Sequence, residues 1–139
     1  MTSVHGEDRK LRLFVADASG DNWTELTSGT TAAVRLAAPD LQQARRARRR
    51  LGGDAAVILD VTVAIGPDFR SARDFLPGDD GDSLQYAGTI NGLAGLVADI
   101  FVAEVADGVT FIPASPGLDV RKLADAARDR IAQRLPLAA

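Results

Sequence analysis

The stretch Leu84–Pro116, LQYAGTINGLAGLVADIFVAEVADGVTFIPASP, decides the fold class. It begins with a turn, Tyr86-Ala87-Gly88-Thr89-Ile90-Asn91. An amphipathic helix follows, in which Leu93, Leu96, Val97, Ile100, Phe101 and Val105 recur at helical spacing behind a cap at Asn91 or Thr89. The loop Ala106-Asp107-Gly108 then leads into a continuously apolar strand, Val109–Ile112. A strand of that kind needs helices over its sheet, and so points to an α/β fold.

The same grammar continues outward. Downstream, Asp119 is placed to cap a helix from Val120 to near Arg134, with Val120, Leu123, Ala127, Ile131 and Leu135 facing inward. Upstream, Val57–Ile65 is the strongest strand. Val57, Leu59, Val61, Val63 and Ile65 share one face, and Ile58, Asp60, Thr62 and Ala64 share the other. Before it lies the helix Leu41–Leu51, started by Asp40 and stopped by Gly52-Gly53, with Leu41, Ala44, Ala47 (or Arg48) and Leu51 as its inward stripe. Ala33–Ala37 and Leu11–Ala16 read as two further strands, and Asn22–Thr27 as one or two helical turns. Phe69–Leu76 carries a short helical pattern, and Pro77–Ser83 is an acidic, glycine-rich loop. Residues 1–10 read as a disordered N-terminus ahead of a single domain over 11–136. The order is β-α-β-α-β-α-α-β-α with no hairpin signal, which predicts about four parallel strands joined by right-handed crossovers.

Composition narrows the function classes. A chain of 139 residues can bury a full core. Its net charge of −3 gives no basic field for nucleic acid. It has no cysteine, which removes thiol chemistry and suits the cytoplasm, and His5 is the sole histidine, which argues against a histidine triad or a zinc site. No catalytic residue and no metal ligand is assigned. The N-terminus lacks an apolar signal core, and no apolar run is long enough to span a membrane. The arginines Arg45, Arg46, Arg48, Arg49 and Arg50 have no interleaved aromatics and read as a solvated helix face. Asp79, Asp80 and Asp82 lack the spacing of a calcium loop. Asp60 is the one carboxylate inside a strong strand; it reads as a buried hydrogen-bonding residue or, in a cleft, an acid or base.

Three segments in order resemble the C-terminal part of the luciferase-like monooxygenases, in the branch acting on nitrilotriacetate and related substrates. They are Leu13–Gly20 (LFVADASG), Ala33–Asp40 (AVRLAAPD), and Tyr86-Ala87-Gly88-Thr89 with Ala106-Asp107-Gly108-Val109-Thr110-Phe111-Ile112-Pro113-Ala114-Ser115. Ile90, Val109 and Ile112 depart from the family's Pro, Phe and Arg. The resemblance implies half of a TIM (β/α)₈ barrel, corresponding to strands 5 to 8. It implies FMN or a deazaflavin as the cofactor, if there is one, with Ser19 and Gly20 on the phosphate side and Gly88 and Thr89 on a second cofactor-side turn. As a plain sequence reading, the first is an ordinary turn and Thr89 is a helix cap. Half a barrel leaves its first and last strands as edges, so the expectation is completion by a homodimer or a partner protein. Because the first half of the site is missing, the expected role is a non-catalytic half-barrel. The alternative is a flavin- or deazaflavin-binding oxidoreductase subunit that works as a dimer or with a partner chain.

Overall fold

A computed structural model describes residues 10–66, 83–115 and 117–138. The expectations for residues 1–9, the helix at 69–76 and the acidic loop at 77–82 lie outside the described residues. Among the described residues there are six strands: β1 (Arg12–Val15), β2 (Thr24–Glu25), β3 (Ala33–Leu36), β4 (Ala56–Ile65), β5 (Leu84–Gly88) and β6 (Gly108–Pro113). Three helices are described: α1 (Leu41–Leu51), α2 (Ile90–Val102) and α3 (Val120–Ala132). Each starts at a residue able to satisfy orphan amides. Asp40, Thr89 and Asp119 accept from the backbone N–H groups of Gln43, Gly92 and Lys122.

The strands form one curled, half-barrel-like sheet in the order β2-β1-β6-β4-β3, with β5 also on β4. All neighbours run parallel except β1 and β2. The ten-residue β4 organises the sheet. One of its edges holds β6, with Ile58 through Val63 set against Gly108 through Pro113. Its other edge holds two strands end to end: β3 against Ala56–Leu59 and β5 against Val61–Ile65. Asp60 stands at the seam between them.

The helices cover one face. Leu13, Val15, Val57, Leu59, Val61, Val63, Val109 and Phe111 pack there against Leu93, Val97 and Ile100 of α2 and Leu123, Ala127 and Ile131 of α3. Burial of each large side chain contributes roughly 1.5–3 kcal/mol, so this layer dominates the stability.

Several expectations are corrected. Asn22–Thr27 is not helical. Trp23 stacks on Phe14 at 4.3 Å between centroids, and Arg12 grips Glu25, which holds the segment extended against β1. The turn expected at Tyr86–Gly88 is the end of a strand, β5. The expected apolar edge strand Val109–Ile112 is central, paired with β1 on one side and β4 on the other. Because β6 lies between β1 and β4, the strands do not follow the sequential neighbour order that half of a barrel implies. Leu51 does not face inward: it is 49% exposed, and Ala44 is the only fully buried residue of α1. That helix is fastened instead by Arg48, which donates to Asp107 at 2.8 Å and to the Glu104 carbonyl at 3.2 Å.

Candidate functional site

The opposite face of the sheet carries the polar residues. Ile58, Phe14 and Ala56 form a small apolar cluster there with Trp23 and Ala33, and no buried residue of the three helices joins it. Beside this cluster, Arg35 from β3 donates from Nε and Nη2 to the two carboxylate oxygens of Asp60 on β4, at 3.2 Å each. Parallel pairing sets the contact: Arg35 lies beside Ile58, so its long side chain reaches one pleat along to Asp60. Its Nη1 donates to the Gly20 carbonyl at 2.8 Å, and the guanidinium lies 5.5 Å from the Trp23 ring centre.

Asp60 is bonded on its other side too. The fully buried Thr110 hydroxyl hydrogen-bonds to it while accepting from Trp23 Nε1 at 2.8 Å. Burial pushes the Asp60 carboxyl above its ordinary range, and the Arg35 contacts offset part of that rise. A little farther along, the Thr62 and Ser83 hydroxyls pair at 3.1 Å. Trp23, Thr110 on β6, Asp60 on β4 and Arg35 on β3 thus form a chain of hydrogen bonds across the sheet. Such a network fixes strand register. A general base needs a lone pair aimed at a substrate, and both Asp60 oxygens already face a guanidinium.

The residues singled out as cofactor-binding sit at the C-terminal ends of strands, where parallel α/β sheets place ligands. Ser19 and Gly20 follow β1, Gly88 ends β5 and Thr89 follows it. The structure does not bring the two turns together. Strands β6 and β4 separate them by three strand spacings, roughly 14 Å. Each turn is closed on itself. Asp17 Oδ1 accepts from the Ser19 and Asp21 amides at 3.0 Å, and from the Ser19 hydroxyl. The Gly20 amide donates to the Asp17 carbonyl at 2.8 Å. Led by the Ser19 hydrogen bond, these contacts hold the Asp17 carboxyl below its usual range. At the second turn, the Thr89 hydroxyl accepts from Gly92, its carbonyl accepts from Tyr86 Oη at 2.9 Å, and the Gly88 carbonyl accepts from Gly66.

A cavity of about 670 Å³ opens at the other end of the sheet, at the strands' N-terminal ends, lined by Lys10, Arg12, Thr31, Ala56 and Asp107 among others. Two of its arginines are paired: Arg12 binds Glu25 in bidentate fashion and Arg48 binds Asp107. Asp107 Oδ2 also accepts from the Val57 amide at 2.9 Å, so it ties α1 to the start of β4.

The sequence matches no protein-family model, and no curated protein matches it. Among the described residues no group of three or more His, Cys, Asp or Glu side chains could hold a metal ion, and no helix is long and apolar enough to cross a membrane. Sequence reasoning found Asp60 but missed its partners Arg35, Thr110 and Trp23. A charged residue inside the apolar run AVRLA was the available signal for Arg35.

Proposed function

We propose that this chain is a luciferase-like α/β domain without turnover of its own, serving in association with another chain. The luciferase-like part rests on the order of its three sequence segments. The lack of turnover rests on one observation: the amides of Ser19, Gly20 and Asp21, the donors a flavin phosphate would need, are folded back onto Asp17. Two further carboxylate features oppose an anion there: Asp17 is held ionised, and Asp21 stands beside the Ser19 hydroxyl at 3.2 Å. The clamped Asp60 offers no free acid or base.

The visible spectrum of the purified protein tests this reading, together with an assay for oxidation of reduced FMN or reduced deazaflavin. The expected spectrum has no flavin band, and the expected rate equals that of the buffer. A flavin band, or an oxidation rate lost in Ser19→Asp, contradicts the proposal.

A further inference from the structure

The edge of β1 that faces β2 is shared by two partners. Along a strand the backbone groups of successive residues turn to opposite neighbours. Arg12 donates its amide to the Asp107 carbonyl, on the β6 side. Leu13 turns to the other side, where its carbonyl accepts from the Leu26 amide and its own amide donates to Thr27 Oγ1 at 3.2 Å. Leu11 points the same way as Leu13, but its partner is the segment that follows α3. Leu137 bridges Leu11 in parallel: the Leu11 amide donates to the Pro136 carbonyl at 3.0 Å, and the Ala138 amide donates to the Leu11 carbonyl at 2.9 Å. The same segment is held from its other side by the Ser28 amide, which donates to the Ala138 carbonyl at 3.1 Å.

The chemistry of this slot reads off its occupant. The first position supplies Leu11 with a carbonyl and is asked for no amide in return, so proline, which has none, fits there. The second is Leu137, half-buried, whose side chain packs against the main core. The third supplies both an amide and a carbonyl and is small: Ala138 lines the cavity at the strands' N-terminal ends together with Ser28. All three hydrogen bonds run from main chain to main chain. The slot therefore asks for an extended backbone and one apolar side chain, which is how a strand is added to a sheet edge.

We propose that the slot between Leu11 and Ser28 is a strand-addition site for an extended segment of a partner chain, one with a leucine-sized apolar residue at its centre and a small residue after it. Pro136–Ala138 fills the site in cis as a displaceable strap. The occupant is identified by what the slot already holds: three main-chain bonds that any extended chain can make, and one apolar contact that selects the central residue. Three bonds and one side chain hold a separate peptide only weakly. A strap tethered through Gln133–Leu135 acts at an effective concentration on the order of millimolar, so it keeps the slot closed until it is loosened or outcompeted.

Leu137→Asp in the full chain should empty the slot, with circular dichroism unchanged. NMR titration of that variant with a peptide of sequence QRLPLAA should then give saturable shifts at the Leu11 and Ser28 amides. The native chain should need roughly tenfold more peptide or above for the same shifts. The same peptide with Asp in place of the leucine between Pro and Ala should give none. Hydrogen exchange of the native chain tests the strap without any variant. The Leu11, Ser28 and Ala138 amides should exchange well before the amide of Arg12, the next residue, which is bonded on the β6 side. A folded Leu137→Asp that binds no peptide overturns the proposal, as does a native chain that binds as tightly as the variant. Exchange of the Leu11 and Arg12 amides at one rate overturns it too. The flavin assays are independent of all these outcomes, so either reading can fail alone.

Discussion

Arg12 shows how much one side chain can hold. It is 7% exposed at the start of β1, donates to both Glu25 oxygens at 2.8–2.9 Å and to the Thr31 carbonyl at 2.8 Å, and so ties β2 and the approach to β3 to the sheet. Arg12→Met leaves the Glu25 carboxylate without its cation and should cost about 3 kcal/mol in urea unfolding. The double variant Arg12→Met/Glu25→Gln should recover part of that loss. The two acids near the sheet titrate in opposite senses. For Glu25, burial alone would raise the carboxyl, but hydrogen bonds from Arg12, Thr27 and Gly29 outweigh it and leave it below 4.5. Its contribution is therefore present above that value and lost as pH falls. Asp60, raised above 3.8 by burial, behaves in reverse: its contribution is present at low pH and lost as pH rises through the window above 3.8. Unfolding curves across the acid range should show the stability difference between native chain and Glu25→Gln shrinking on acidification. The difference between native chain and Asp60→Asn should shrink on raising the pH.

At the scale of elements, β6 is the least forgiving. A Cβ on Gly108 would drive into the Arg12 backbone carbonyl on β1, with no flexible side chain to yield. Gly108→Ala should cost roughly 1–3 kcal/mol by overpacking. Thr89→Ala, which removes the α2 cap, should cost about 1 kcal/mol. Helix α1 is the opposite case. With Ala44 its only fully buried residue, its amides should exchange hydrogen well before those of β4 and β6, as followed by NMR. Much of this was legible in the sequence. The caps Asp40, Thr89 and Asp119 and the two faces of Val57–Ile65 follow from local chemistry and periodicity. Strands β2 and β5 were not legible, because both are held extended by distant partners: Thr24-Glu25 by Arg12 and by Phe14, on which Trp23 stacks, and Leu84–Gly88 by the second half of β4.

For the whole molecule, pairing order was the hidden quantity. The run Val109–Ile112 is apolar enough for a strand flanked on both sides, and its continuous burial was the cue to a central place that a half-barrel expectation turned into an edge. The polar network followed the same rule. Asp60 stood out in an apolar strand, but its partnership with Arg35 depends on which strands meet, and parallel pairing over long sequence separation leaves little local trace. Among the described residues, what emerges is an α/β sheet with helices over an apolar face and a self-satisfied polar network on the other. The central claim is that the loop after β1 keeps its donors for itself. Titrating FMN with the native chain and following flavin fluorescence tests it most directly. The account predicts no saturable change; saturable quenching that disappears in Ser19→Asp would contradict it.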